Sequence, residues 1–119
     1  MDKVNIDQKL SLFSEYWDPK IVGELNGQYV KLVKLKGEFV WHKHDNEDEM
    51  FYVLKGKFNI EYRDKTVEIG KNEFVIVPKG VEHRPVAKEE ASVMLFEPKS
   101  ILNTDDKQNE FTKVNLQEI

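Results

Sequence analysis

Apolar and polar positions alternate in short runs along most of this chain, and the period changes once. Residues 5–17 place Ile6, Leu10, Phe13 and Trp17 at helical spacing, with Asn5 and Gln8 arranged as in a capping box. The pattern predicts a short amphipathic helix that Pro19 ends. Its apolar stripe must be buried, either on the outside of its own domain or across a dimer interface. From about residue 28 the period shortens to that of strands, in eight runs: YVKLVKL, EFVWHKH, MFYVL, KFNIEY, TVEI, EFVIV, RPVA and SVMLFE. The tightest connections between them are Lys55-Gly56-Lys57 and Arg63-Asp64-Lys65. Short strands with close turns predict an all-β antiparallel sandwich or barrel, and eight of them fit a jelly roll. Along KFNIEY, parity sends Phe58, Ile60 and Tyr62 to one face as core or pocket wall. After Phe96 the text turns polar, and Phe111, Val114, Leu116 and Ile119 either add an edge strand or fray. The resulting organisation is an N-terminal arm with a helix (1–27), a barrel (28–99) and a C-terminal tail (100–119).

Composition narrows the classes. A chain of 119 residues supports one domain with one core. Charged residues make up 34% of it, yet the net charge is only -4 and the signs interleave. Such a surface has no basic stripe for nucleic acid and no attraction to anionic membranes. No apolar run approaches the roughly 20 residues of a membrane span, and MDKVNIDQKL lacks a signal-peptide core, so a soluble cytoplasmic protein is expected. The absence of cysteine excludes disulfides and thiolate chemistry.

The chemistry concentrates in the histidines, of which there are three: His42, His44 and His83. In GEFVWHKHDNEDEMFYVLKG, residues 37–56, His42 and His44 are two apart on a strand and project to one face, with Cα atoms roughly 6.8 Å apart. Glu49 opens the next strand and shares a face with Phe51 and Val53, so its carboxylate can meet the same interior. In NEFVIVPKGVEHRP, residues 72–85, an apolar strand ends at Pro78 and a turn at Gly80 delivers His83. Three imidazoles and a carboxylate favour Fe, Mn, Co, Ni, Cu or Zn over Mg or Ca. On a six-coordinate ion they leave two positions for water, dioxygen or a chelating substrate. Neighbouring side chains have less defined places: Asp48 as an outer partner of the site, Glu47 as a solvated carboxylate, and Glu97 as a spare ligand. Arg84 is placed either on a substrate anion or in a surface ion pair. Trp41, of opposite parity to the histidines, is expected against the helix or a neighbouring chain.

These two segments resemble the cupin superfamily. Its first motif matches from His42 through Glu49 to Gly56, with Gly37 one residue closer to His42 than usual. Its second matches at Pro78, Gly80 and His83, with Asn72, Glu73 and Ala87 where a glycine, an aspartate and an asparagine are usual. Over residues 5–104 the chain is similar to small single-domain cupins, some loosely labelled mannose-6-phosphate isomerase-like. The resemblance implies a cupin jelly-roll barrel, or double-stranded β-helix, and a divalent transition metal on His42, His44, Glu49 and His83. It also implies a small-molecule ligand or substrate and a homodimer. Three activities remain open: metal-dependent isomerisation of a sugar, sugar phosphate or keto acid; dioxygenation with Fe, Mn or Ni; and ligand binding without turnover. The metal-free epimerase mechanism is disfavoured because no histidine is left as a base, and cupin thiol dioxygenases with a cysteine crosslink are excluded.

Overall fold

A computed structural model describes residues 2–101 and 116–119. Helix α1 (Ile6–Leu10) is shorter than the expected 5–17. Asn5 caps it by accepting a hydrogen bond from Gln8 N at 2.9 Å, and Ser11 Oγ donates back to Gln8 O at the other end. Beyond Ser11 the backbone donors go elsewhere: Trp17 takes a left-handed φ of 59° and its N–H goes to Lys34 O. Phe13 and Trp17 are nevertheless buried, so the apolar spacing was right about burial and wrong about helix.

Strands follow as β1 (Lys20–Leu25), β2 (Gln28–Glu38), β3 (Glu49–Lys55), β4 (Lys57–Tyr62), β5 (Thr66–Gly70), β6 (Phe74–Val77) and β7 (His83–Pro98). Strand β1 lies within the segment read as an arm. It pairs antiparallel with β2 through the two-residue turn Asn26-Gly27, whose central residues both have positive φ. That is the hairpin turn whose twist matches paired strands. The runs RPVA and SVMLFE are a single strand, β7, and EFVWHKH is divided. Its first residue, Glu38, closes β2, and residues 39–44 lie outside the named strands, with a bridge between His42 and His83. Among the described residues seven strands thus stand where eight were expected.

Strand β7 organises the barrel. On one side it pairs with β2 over almost its whole length; on the other it pairs first with β4, at His83–Val86, and then with β3, at Ser92–Phe96. The exposed residues Lys88–Glu90 lie between these two pairings. The sheet order β1-β2-β7-β3-β6, with β4 and β5 reached through β7, makes an antiparallel jelly roll. Gly56 makes the β3–β4 turn at φ 76°, with the β7 backbone so close that a Cβ would lie 2.8 Å from Glu90 O.

Parity sorts the residues as expected. Val33, Leu35, Phe51, Val53, Phe58, Ile60, Val93 and Leu95 form the interior. Leu32, on the opposite face of β2, packs outside with Leu10 and Phe13, so the helix covers its own barrel. Near the C-terminus the backbone joins the edge of β1, through Ile21 N to Gln117 O and Ile119 N to Ile21 O. Phe111 and Val114 lie outside the described residues. No helix among the described residues is long and apolar enough to cross a membrane.

Candidate metal centre

The backbone brings the motifs together before the side chains do. His42 and His83 exchange both backbone hydrogen bonds, at 3.0 and 2.9 Å, and Gly80 N donates to His44 O at 2.8 Å. Asp48 Oδ1 accepts from Lys79 N at 2.9 Å, so the loop leading to β3 is tied to the turn leading to β7. Asp48 therefore holds the two loops in place from outside the cluster. Glu49 enters from the first position of β3, opposite Val77.

The donor atoms of His42, His44, Glu49 and His83 lie within 4.8 Å of one another, and no residue of the four is more than 4% exposed. His42 Nδ1 lies 2.8 Å from Val40 O, and His83 Nδ1 lies 2.9 Å from Val81 O. A carbonyl can only accept, so each Nδ1 carries the hydrogen and each Nε2 keeps its lone pair for the centre. His44 Nε2 sits 3.2 Å from Glu49 Oε1; His83 Nε2 is 3.7 Å from it, beyond hydrogen-bond length. His83 Nε2 is buried without a hydrogen-bond partner among the described residues. Leaving such an atom unmet costs about 1–3 kcal/mol, a cost that a shared cation would remove. The residues fit a divalent transition metal.

Electrostatics agree with that donor set. Burial, followed by repulsion from His83, lowers the His42 pKa from 6.5 to about 4, which keeps the ring neutral. Burial alone would raise the Glu49 carboxyl; contacts with Glu97, His44 and His83 outweigh it and hold the group well below the usual carboxylate range. Two of the four are thereby held in the protonation states that metal ligands need.

The other candidates take different places. Glu97 is outside the four-donor cluster and binds Lys31 Nζ through Oε1 at 2.6 Å, both residues being buried. Burial and repulsion from Glu49 push its carboxyl well above the usual range, outweighing Lys31. Arg84 is held by Glu61 and Glu38 in an ion-pair cluster, which is the second of its two expected places. At Trp41, placed by parity against the helix or a neighbouring chain, the guanidinium of Arg63 lies 3.8 Å from the ring centroid and that of Arg84 5.5 Å. Glu47 accepts from Ser100 Oγ. Of the motif departures, Asn72 adopts the left-handed φ of 65° that a glycine would supply, and Glu73 Oε1 accepts from Gly70 N. Ala87 is fully buried.

Beside His42 and Glu49 lies a cavity of about 40 Å³. Trp17, Val33, Leu35, Phe39, Phe51 and Leu95 form most of its wall. Trp17 and Phe39 as pocket residues, and the Lys31–Glu97 pair, are additions to the sequence-based expectations. The signal for Lys31 was present, since it shares the parity of Val33 and Leu35 on a core-facing strand.

Comparison with known proteins agrees with this architecture. Protein YdbB of Bacillus subtilis strain 168, which is uncharacterized, is 39% identical over 64 residues, 53% of this chain and 57% of its own length. The crystal structure of a cupin-2 domain protein from Shewanella frigidimarina NCIMB 400 superposes with a TM-score of 0.80 at 45% identity, covering 81% of this chain and 94% of that one. Protein NMB1881 from Neisseria meningitidis gives 0.76 at 32% identity, covering 82% and 100%. Residues 29–97 match the cupin domain model Cupin_2, and the chain belongs to the cupin family.

Proposed function

We propose that this cupin is a transition-metal-dependent, isomerase-like enzyme acting on a small carbonyl compound, with His42, His44, Glu49 and His83 holding the ion. The observation that carries this reading is four buried donors converging on one point, with the outer nitrogens of His42 and His83 already committed to carbonyls. A divalent Fe, Mn, Ni, Co, Cu or Zn ion held there supplies Lewis-acid polarisation of a chelating substrate oxygen. The residues do the rest by position. Neutral His42 and ionised Glu49 are ready to ligate, the carbonyls of Val40 and Val81 fix two rings, and the apolar wall limits water. In solution we expect a homodimer, because Phe74 and Ile76 are exposed on edge strand β6.

Elemental analysis of protein made without an affinity tag is expected to find equimolar transition metal. His42→Ala and His83→Ala are expected to lose it with the barrel still folded. A metal-free protein that shows no thermal shift with Mn, Fe, Ni or Zn overturns the site. Oxygen uptake with Fe and a candidate substrate marks a dioxygenase instead. Saturable binding with unchanged ligand after long incubation marks a carrier.

A further inference from the structure

The cavity beside His42 and Glu49 has a chemistry that the metal ligands alone do not specify. Its remaining walls are hydrocarbon and aromatic, and none of the lining residues is Lys or Arg. Lys20, next to Pro19 of the wall, pairs with Glu15 and Asp18, and Arg84, next to Pro85, pairs with Glu61 and Glu38. Lys31 Nζ donates to Glu97 Oε1. A phosphate would find no counter-charge on this wall. The hydroxyls of a sugar would exchange water for carbon, and each group left without a partner opposes binding.

Trp17 sets the size of the chamber. Its ring stacks on Phe39 with centroids 4.8 Å apart, and Phe39 in turn meets His42 edge-on at 5.4 Å. The indole N–H donates to Lys36 O at 2.9 Å, fixing the ring's direction. The residue holds a left-handed φ of 59°, which an aromatic residue rarely adopts and which costs backbone strain. The surrounding bonds keep the indole in the wall despite that cost. At about 40 Å³ the space is far below the roughly 150 Å³ of an apolar cavity that takes benzene.

We propose that the cavity receives the apolar tail of a short, uncharged-tailed chelator, such as a small 2-oxo acid, and that Trp17 is the residue that limits tail length. This rests on the metal-centre reading. Phosphorylated sugars are outside the class.

The test uses the full chain loaded with Ni(II), its metal content measured first, and calorimetric titration with three probes. Acetohydroxamate and benzohydroxamate share one chelating head and differ in tail; glucose 6-phosphate carries hydroxyls and a phosphate. Acetohydroxamate is expected to bind, benzohydroxamate to be weaker by about tenfold or more, and glucose 6-phosphate to give no saturable signal. Trp17→Gly removes the ring and relieves the backbone. It is expected to raise benzohydroxamate affinity about tenfold while acetohydroxamate moves by less than about threefold. Phe39→Leu leaves Trp17 in place and is expected to shift the same ratio in the same direction, so the question does not depend on one variant folding. An unchanged ratio in nickel-loaded variants overturns the role of Trp17. Glucose 6-phosphate binding as tightly as acetohydroxamate overturns the substrate class. Failure of the wild-type chain to take up nickel overturns the metal-centre reading itself, and is seen before any probe is added.

Discussion

At the scale of single residues, the protonation of His42 gives a measurable consequence. Its folded pKa of about 4 lies below the 6.5 of the free side chain. Between those values the unfolded chain binds a proton that the folded chain refuses, so the stability of metal-free protein falls as pH drops through that window. The loss approaches about 3 kcal/mol by pH 4, and it is absent above about pH 6.5. Urea melts of chelator-treated protein across this range check it. In His42→Leu, an apolar side chain of similar reach, the same window is expected to flatten. Glu49 adds to the loss at the acid end of this window: its folded carboxyl is held well below 4.5, so the unfolded chain takes up that proton first, from about pH 5 downward. Much of this site was legible from residue types and parity: His42, His44, Glu49 and His83 were named from two motifs, and the structure brings all four together. The two carbonyls that orient the rings were not legible, because Val40 and Val81 contribute backbone rather than side chain.

At the scale of elements, sequence pattern did best where the signal is local and repeated. Strands β3 to β6 begin and end near their apolar runs, and the interior face of β4 is the one that parity chose. It did worst where pairing decides. β1 is not among the runs read as strands although Asn26-Gly27 separates two strand-like runs, and β7 reads as two runs because the charged, exposed residues 88–90 interrupt its apolar pattern. The helix was overextended because residues 13 and 17 are buried against strands instead. Turns carry two predictions. Gly56→Ala forces both a left-handed alanine and a Cβ 2.8 Å from Glu90 O, and is expected to cost about 2–3 kcal/mol. Gly27→Ala shares the φ but meets nothing within 4 Å, and about 1 kcal/mol is expected. Comparing their denaturation midpoints separates crowding from backbone strain. Asp48→Ala cuts the link to Lys79 N, and is expected to weaken metal affinity by about fivefold while costing about 1 kcal/mol of stability, read by competition with a chelator.

At the scale of the whole molecule, the outer face of the sheet is covered unevenly. Helix α1 and Phe13 shield Leu32, Leu54 and Met94, but the rows that continue onto β6 are open. There Phe74 stands opposite Tyr52, and Ile76 opposite Met50, with Met94 and Phe96 opposite the same two residues on β7. Phe74 and Ile76 are 58% and 52% exposed, and β6 has β3 as its one strand neighbour in the sheet order. Edge strands that stay solitary usually carry charge, and FVIV carries none. A contiguous apolar face of this kind marks an interaction site more often than a bare surface, and a second copy of the chain supplies the same apolar chemistry by a two-fold rotation. Sedimentation at micromolar concentration is therefore expected to give twice the monomer mass. Phe74→Lys with Ile76→Lys places two charges on that face and is expected to give the monomer, with metal content unchanged because Val75 and Val77, not these two, face inward. A wild-type chain that sediments as a monomer at every concentration would refute the pairing. A double variant that keeps the dimer mass would move the interface to another face of the barrel.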